Sequence, residues 1–183
     1  PSTTTLGLNH EQQHQELLLT DILHAFSHNP LLPAYDPSPA PALRLGTAPS
    51  QPQWIEMHGG VVQIGHDASG GDFAFDNETP RHSALLQPYR IASRLVNCGE
   101  YLQFIEDGGY RNPQLSLSDG WATVQAQGWD APAYWVAPDD ARLARQDAGS
   151  ANGWQVFGLQ GARPLDPQAP VSQLSFYVAA AFA

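Results

Sequence analysis

The sequence predicts an α+β chain: one long helix, a proline-rich connection and a loop-rich mixed domain. Three observations carry this. An unbroken polar-then-apolar stretch runs from the N-terminal residues to His28 and ends at Asn29-Pro30. Seven of the sixteen prolines fall within residues 30–53. Beyond them, short alternating apolar segments and one further helical pattern are separated by glycine, aspartate and tryptophan.

Composition narrows the possibilities before any motif is considered. The chain has 183 residues, 14% of them charged, with five tryptophans, six tyrosines and seven phenylalanines, which is globular composition. A formal charge of −10 with eight Lys plus Arg repels phosphate backbones, so nucleic acid is not an expected partner. No apolar run approaches the roughly 20 residues of a membrane span, and no signal peptide is visible. Cys98 stands alone, which excludes an internal disulfide and fits a reducing, cytoplasmic compartment. The chain lacks an initiator Met, and Tyr177 to Ala183 reads as a helix that has barely begun. Both ends suggest a fragment of a longer protein.

The first helix is expected from a cap at Asn9 or Thr5 to about His28. Leu18, Leu19, Ile22, Leu23 and Phe26 give it a broad apolar face. One such helix does not fold alone, so it calls for partner helices that the chain lacks. Residues 30–53 read as an extended, semi-rigid linker. Trp54 to Gly65 alternates around Gly59-Gly60 and predicts a two-stranded hairpin. Asp67 to Pro80 is an acidic, glycine-bearing loop, and His82 to Ile91 one strand. Val96 to Asp107 repeats at helical spacing and stops at Gly108-Gly109. Tyr110 to Pro170 has little regular pattern, and its tryptophans predict a domain pinned by aromatic packing.

His10-Glu11-Gln12-Gln13-His14 is the strongest chemical signal. Histidines at i and i+4 share a helix face and can reach one metal ion. The alternative is a pair of solvated or hydrogen-bonded histidines. The dense polar cluster around them, opening an otherwise apolar helix, is costly to bury without a purpose. The same letters spell HExxH, in which Glu11 would be the general base of a zinc hydrolase. Gln12-Gln13 replace the apolar pair usual in that motif, however, and no downstream helix offers a third ligand. His24 and His28 repeat the spacing, but the helical rise sets His24 about 15 Å from His14, too far to share its ion. A structural or solvated role is expected for them. Cys98 at a helix start is read as a packing residue. Asp67, Asp72, Asp76, Asn77 and Glu78 do not match an EF-hand and read as a solvated acidic loop.

GLNHEQQHQELLLTDILH resembles the histidine helix of the sulfoxide synthases of ergothioneine biosynthesis. WIEMHGGVVQIG, DNETPRHSALLQPYRIASRLVNCGEYLQFIEDGGY, DGW, YW and PVSQLSFYVAAAFA resemble, in order, the formylglycine-generating-enzyme-like domain that follows it in that family. The resemblance implies residues 1–29 as the C-terminal helix of a DinB-like four-helix bundle, 30–53 as the linker, and 54–183 as a C-terminally truncated, C-type-lectin-like domain. It implies an iron(II)- and O2-dependent enzyme that joins cysteine or γ-glutamylcysteine to the imidazole of trimethylhistidine. His10 and His14 match two of the family's three iron ligands, the third lying upstream of Pro1. Gln13 matches a glutamine that contacts the substrate imidazole. The family's catalytic residues fall beyond Ala183, so the isolated fragment is expected to be inactive. Val178 and Ala180 stand where the family carries acidic residues. Cys98 matches no catalytic cysteine of the formylglycine-generating enzymes, which argues against that activity. Two alternatives stand beside this reading: a non-catalytic lectin-like and DinB-like binding module, and an HExxH zinc hydrolase.

Overall fold

A computed structural model describes residues 2–39, 51–143 and 153–183. It divides into two compact units. The first contains the opening helix as far as Thr20 together with the strands up to Arg94. The second contains the helix from Asp21 onward and Leu95–Ala183.

Helix α1 spans Thr3–Ser27. Its start lies earlier than expected. Ser2 caps it, its Oγ accepting from the Thr5 amide at 3.2 Å. Asn9 instead lies inside the helix and donates from Nδ2 to the Thr5 carbonyl at 2.9 Å. The side chain was free to bond backward along the helix once another residue had taken the cap. The other end breaks close to the predicted point. The Leu31 and Leu32 amides both turn back onto Asn29, at 2.9 Å to Oδ1 and 2.9 Å to the carbonyl.

In the first unit, β1 (Trp54–Met57) and β2 (Gly60–Ile64) do not pair with each other. β1 pairs antiparallel with β4 (Tyr89–Ala92), and β2 with β3 (His82–Leu86). The expected hairpin is therefore one arm of a longer bent ribbon, and its partner arm is itself broken at Gln87-Pro88. The Gly-Gly pair marks the bend. Gly59 has φ +72°, and a Cβ there would lie 2.5 Å from the Leu86 carbonyl oxygen. The glycine thus serves close backbone approach between strands rather than a turn. Residues 65–81 make the actual reversal, as a loop with two short 3-10 turns at Ala68–Gly70 and Asp76–Glu78.

The second unit holds both buried clusters. Helix α2 (Cys98–Glu106) opens with a reciprocal cap, Asn97 Oδ1 accepting from the Glu100 amide at 2.9 Å and Glu100 Oε2 from the Asn97 amide at 3.0 Å. Gly108, left-handed at φ +84°, follows its last turn as expected. Helices α3 (Ser118–Gln127) and α4 (Phe176–Phe182) pack so closely that a Cβ on Gly120 would lie 2.8 Å from the Tyr177 Cβ. Tyr101, Tyr110, Val124 and Val178 form the first cluster, joined by Phe104, Trp135 and Phe182. Val178 is 5% exposed, so an apolar residue at this position fills the core. Leu32, Val136 and Phe157 form the second, with Leu23 and Phe26 of α1 packed against it.

A three-stranded sheet, β5 (Trp135–Val136), β6 (Gln155–Gly158) and β7 (Gly161–Pro164), carries this second cluster. The proline-rich stretch does not leave α1 as a free spacer. The Tyr35 and Asp36 amides donate to the Leu159 carbonyl at 2.8 and 3.0 Å, and Arg163 donates to the Ser38 carbonyl at 3.0 Å. The rest of the expected linker, residues 40–50, lies outside the described residues. Among the described residues no helix is long and apolar enough to cross a membrane.

The Tyr101 and Tyr110 hydroxyls meet at 3.1 Å inside the first cluster. Burial pushes both upward from the ordinary tyrosine value; the hydrogen bond from Tyr110 partly offsets this for Tyr101, and for Tyr110 the contact with Tyr101 adds to it. A raised pKa in the fold means the folded state holds its proton more tightly. The associated stability is complete below the unfolded value of about 10 and is lost as pH rises through the folded value. Thermal melts from about pH 8 to about pH 11 should therefore fall, with a shallower fall in Tyr110→Phe. A melting temperature that rises across this range would contradict the buried pair.

Candidate functional site

His10 and His14 lie on the exposed face of α1, their ring centres 4.6 Å apart and their planes at 82°. Two imidazoles on adjacent positions of one ion have centres about 4.5–5 Å apart, given a metal–nitrogen bond of about 2.0–2.1 Å. The spacing and the neutral nitrogen donors therefore suit a transition metal. Among the described residues no third His, Cys, Asp or Glu joins them. Two imidazoles hold an ion weakly, so a complete centre requires a ligand from elsewhere.

His10 does not stand on bare surface. Thr3, Leu6, Gly7, His10 and Gln13 of α1 form one wall of a cleft of about 500 Å³, and Phe75, Asp76 and Asn77 form the other. Local hydrogen bonds hold the second wall in shape. The Phe75 amide donates to Glu78 Oε2 at 2.8 Å, the Asn77 amide to Asp76 Oδ1 at 2.9 Å, and the Thr79 hydroxyl to the Asp76 carbonyl at 2.9 Å. The Phe73 and Phe75 rings meet edge to face at 4.8 Å. The His66 amide ties this turn to β2 through the Glu78 carbonyl at 2.8 Å. The cleft thus brings His10 and Gln13 opposite a carboxylate, an amide and an aromatic ring.

Glu11 is exposed, and among the described residues it makes no hydrogen bond or ion pair. Asp67, Asp76 and Glu78 of the acidic loop bond to its own turns, and Asp67 also lies 3.5 Å from Arg81. Asp67 Oδ1 accepts from the Ser69 amide at 3.0 Å and its hydroxyl at 2.7 Å, and these bonds hold the carboxyl below its usual range. Cys98 is 5% exposed, and burial, with Asp166 adding to it, pushes its thiol upward. A thiol so held remains protonated and packs, as the sequence suggested. Sequence reasoning placed Asp76 and Asn77 in a solvated loop and missed that Phe75, Asp76 and Asn77 wall the same cleft as His10. The loop contact joins residues some sixty positions apart, and no local pattern reports it.

The α+β architecture with its compact, loop-rich second unit defines a class, and comparison with known proteins names it. Residues 42–183 match the sulfatase-modifying factor enzyme 1-like domain, whose fold is C-type-lectin-like, and the chain belongs to that family. It is also 33% identical over 178 residues to a hercynine oxygenase of Mycolicibacterium smegmatis, and 31% identical over 176 residues to one of Mycobacterium tuberculosis. These alignments cover 97% and 96% of this chain but 37% of each relative. The likeness begins before the family domain and takes in α1, so it includes the histidine helix. The chain spans just over a third of the length of these relatives.

Proposed function

We propose that this chain carries part of the metal and substrate site of a non-haem iron(II), O2-dependent sulfoxide synthase that acts on trimethylhistidine. One observation carries the proposal. The rings of His10 and His14 lie 4.6 Å apart, and His10 lines a cleft with Gln13, in a chain similar along nearly its whole length to hercynine oxygenases. His10 and His14 would hold iron(II) together with a third histidine upstream of Pro1, on a DinB-like bundle of which α1 is the last helix. Bound iron(II) would supply the redox chemistry that O2 requires. The overall reaction takes a thiol, an imidazole C–H and O2 to a carbon–sulfur bond, a sulfoxide oxygen and one water. Gln13 would donate its side-chain amide to an imidazole nitrogen and so orient the ring. Cysteine and γ-glutamylcysteine are the two thiols proposed, with the residues that bind the thiol and move protons beyond Ala183. The lone, buried Cys98 suits a cytoplasmic enzyme.

The full-length protein, loaded with iron(II) without oxygen, should convert trimethylhistidine, O2 and one of these thiols to a sulfoxide detected by mass spectrometry. No sulfoxide with either thiol would overturn the reading. Gln13→Ala should raise KM for trimethylhistidine by the equivalent of about 1–3 kcal/mol, the loss of one buried substrate hydrogen bond, with metal content kept. Unchanged substrate affinity would remove Gln13 from the site.

Glu11 separates this reading from a zinc hydrolase. It sits about 100° around the helix from His10, its side chain makes no hydrogen bond or ion pair among the described residues, and in the synthase it would serve only as helix charge, worth about 0.3–1 kcal/mol. Glu11→Gln should therefore keep most sulfoxide formation. Zinc-dependent peptide cleavage that disappears in Glu11→Gln is the outcome that favours the hydrolase.

A further inference from the structure

A second histidine pair, His24 in the last turn of α1 and His28 just past its end, belongs to the second unit and takes no part in the proposed reaction. His24 and His28 have ring centres 4.5 Å apart and planes at 71°. Their hydrogen bonds decide which nitrogens are free. His28 Nδ1 lies 2.9 Å from the His24 carbonyl oxygen. A carbonyl only accepts, so Nδ1 carries the proton and donates, which leaves the Nε2 lone pair exposed. His24 Nδ1 lies 3.3 Å from the Tyr134 hydroxyl, which is able to accept. With Nδ1–H donating to that oxygen, His24 also presents a free Nε2.

Both rings line a cavity of about 440 Å³ with Ser27, Tyr134, Arg142 and Phe157. Tyr134 is fixed there. Its backbone is left-handed at φ +67°, and its carbonyl accepts from the Phe157 amide at 2.8 Å. A non-glycine residue held in this region marks a site that its surroundings impose. Among the described residues lining the cavity, Arg142 is the one cation that would oppose a metal, and Asp140 neutralises it. Arg142 Nη2 meets Asp140 Oδ2 at 2.7 Å, its Nε meets Oδ1 at 3.0 Å, and its Nη1 donates to the Ser27 carbonyl at 3.0 Å.

We propose that His24 and His28 form a second divalent-metal site, with Tyr134 as the outer hydrogen-bond partner that sets the His24 tautomer. The ring separation matches two adjacent positions on one ion. Two imidazole nitrogens select a borderline cation such as zinc, nickel or copper(II) over calcium or magnesium. Both rings line the cavity, so water or a small anionic ligand can fill the remaining positions, and as at any two-imidazole site the ion is held weakly. The alternative, a pair that only tethers α1 to the loop of Tyr134, predicts no ion at all.

The test uses the full-length protein carrying His10→Ala and His14→Ala, titrated with zinc against a chromophoric chelator. This background should still bind zinc at one site. Adding His28→Gln should weaken that site by at least tenfold while leaving the circular dichroism spectrum intact. His24→Ala should do the same. Tyr134→Phe keeps the ring and loses the hydrogen-bond partner, and should weaken zinc by about 10–100-fold. Absence of zinc binding in the His10→Ala, His14→Ala background overturns the proposal. So does binding that survives both His24→Ala and His28→Gln, because other histidines then hold the ion. Should His24→Ala fail to fold, His28→Gln and Tyr134→Phe decide the outcome on their own.

Discussion

His14→Ala in the full-length protein should abolish iron binding and sulfoxide formation together. On the proposed reading His14 and His10 would hold one ion together, and their ring centres lie 4.6 Å apart. Removing one leaves an under-coordinated metal. Loss of an outer-shell partner to a metal ligand already costs about 10–100-fold in affinity or activity, so loss of the ligand itself should exceed about 100-fold. Folding should be spared, because α1 buries none of its residues and His14 is exposed. Iron content measured beside turnover checks this. Gln15→Ala, one position further along the same exposed helix, should leave both unchanged. A His14→Ala enzyme that retains iron and forms product would remove the pair from the metal centre. His10→Ala should behave in the same way, since neither ring has a substitute within hydrogen-bonding reach among the described residues.

The geometry of the His10–His14 pair was legible because its signal is local. Histidines four apart on a helix must share a face, whatever the rest of the chain does. Helix α2 was legible for the same reason, as Asn97, Glu100 and Gly108 write both of its ends. The ribbon was half legible. Alternation marked β1 and β2 as strands, but the Gly59-Gly60 pair reads equally as a hairpin turn and as a bend. Only partners β3 and β4, further along the chain, settle which. Strands β5 to β7 and helix α3 carried no usable pattern. β5 is two residues long, and α3 buries only Gly120 and Val124. Such segments are ordered by tertiary packing rather than by their own periodicity. The sequence also read the tryptophans as the pins of the second unit. Trp135 has that role, at 6.3 Å from Tyr101 and 5.8 Å from Trp154. Trp129 is 38% exposed, however, and tyrosines stand at the centre of the cluster.

Tyr101→Ala should be the most damaging single change to stability. Tyr101 is 1% exposed, and its ring lies 5.4 Å from Phe104, 6.5 Å from Tyr110, 6.3 Å from Trp135 and 5.4 Å from Phe182. It therefore joins α2, α4 and the first strand of the β5–β7 sheet. Truncating a buried aromatic to alanine costs about 3–5 kcal/mol through lost transfer energy and the cavity left behind. Tyr110 also loses the partner that satisfies its hydroxyl at 3.1 Å, an additional penalty of about 1–3 kcal/mol. Against a total stability of about 5–15 kcal/mol, these losses bring the fold to the edge of unfolding. Tyr101→Phe separates the two contributions. It keeps the ring and removes only the hydroxyl, so it should lose about 1–3 kcal/mol. Urea unfolding followed by tryptophan fluorescence measures both, since Trp135 reports directly on the cluster. Equal losses in the two variants would mean that the hydroxyl pair, and not the ring packing, holds the second unit together. A loss under about 1 kcal/mol in Tyr101→Ala would mean that Tyr101 is not at the centre of the core at all.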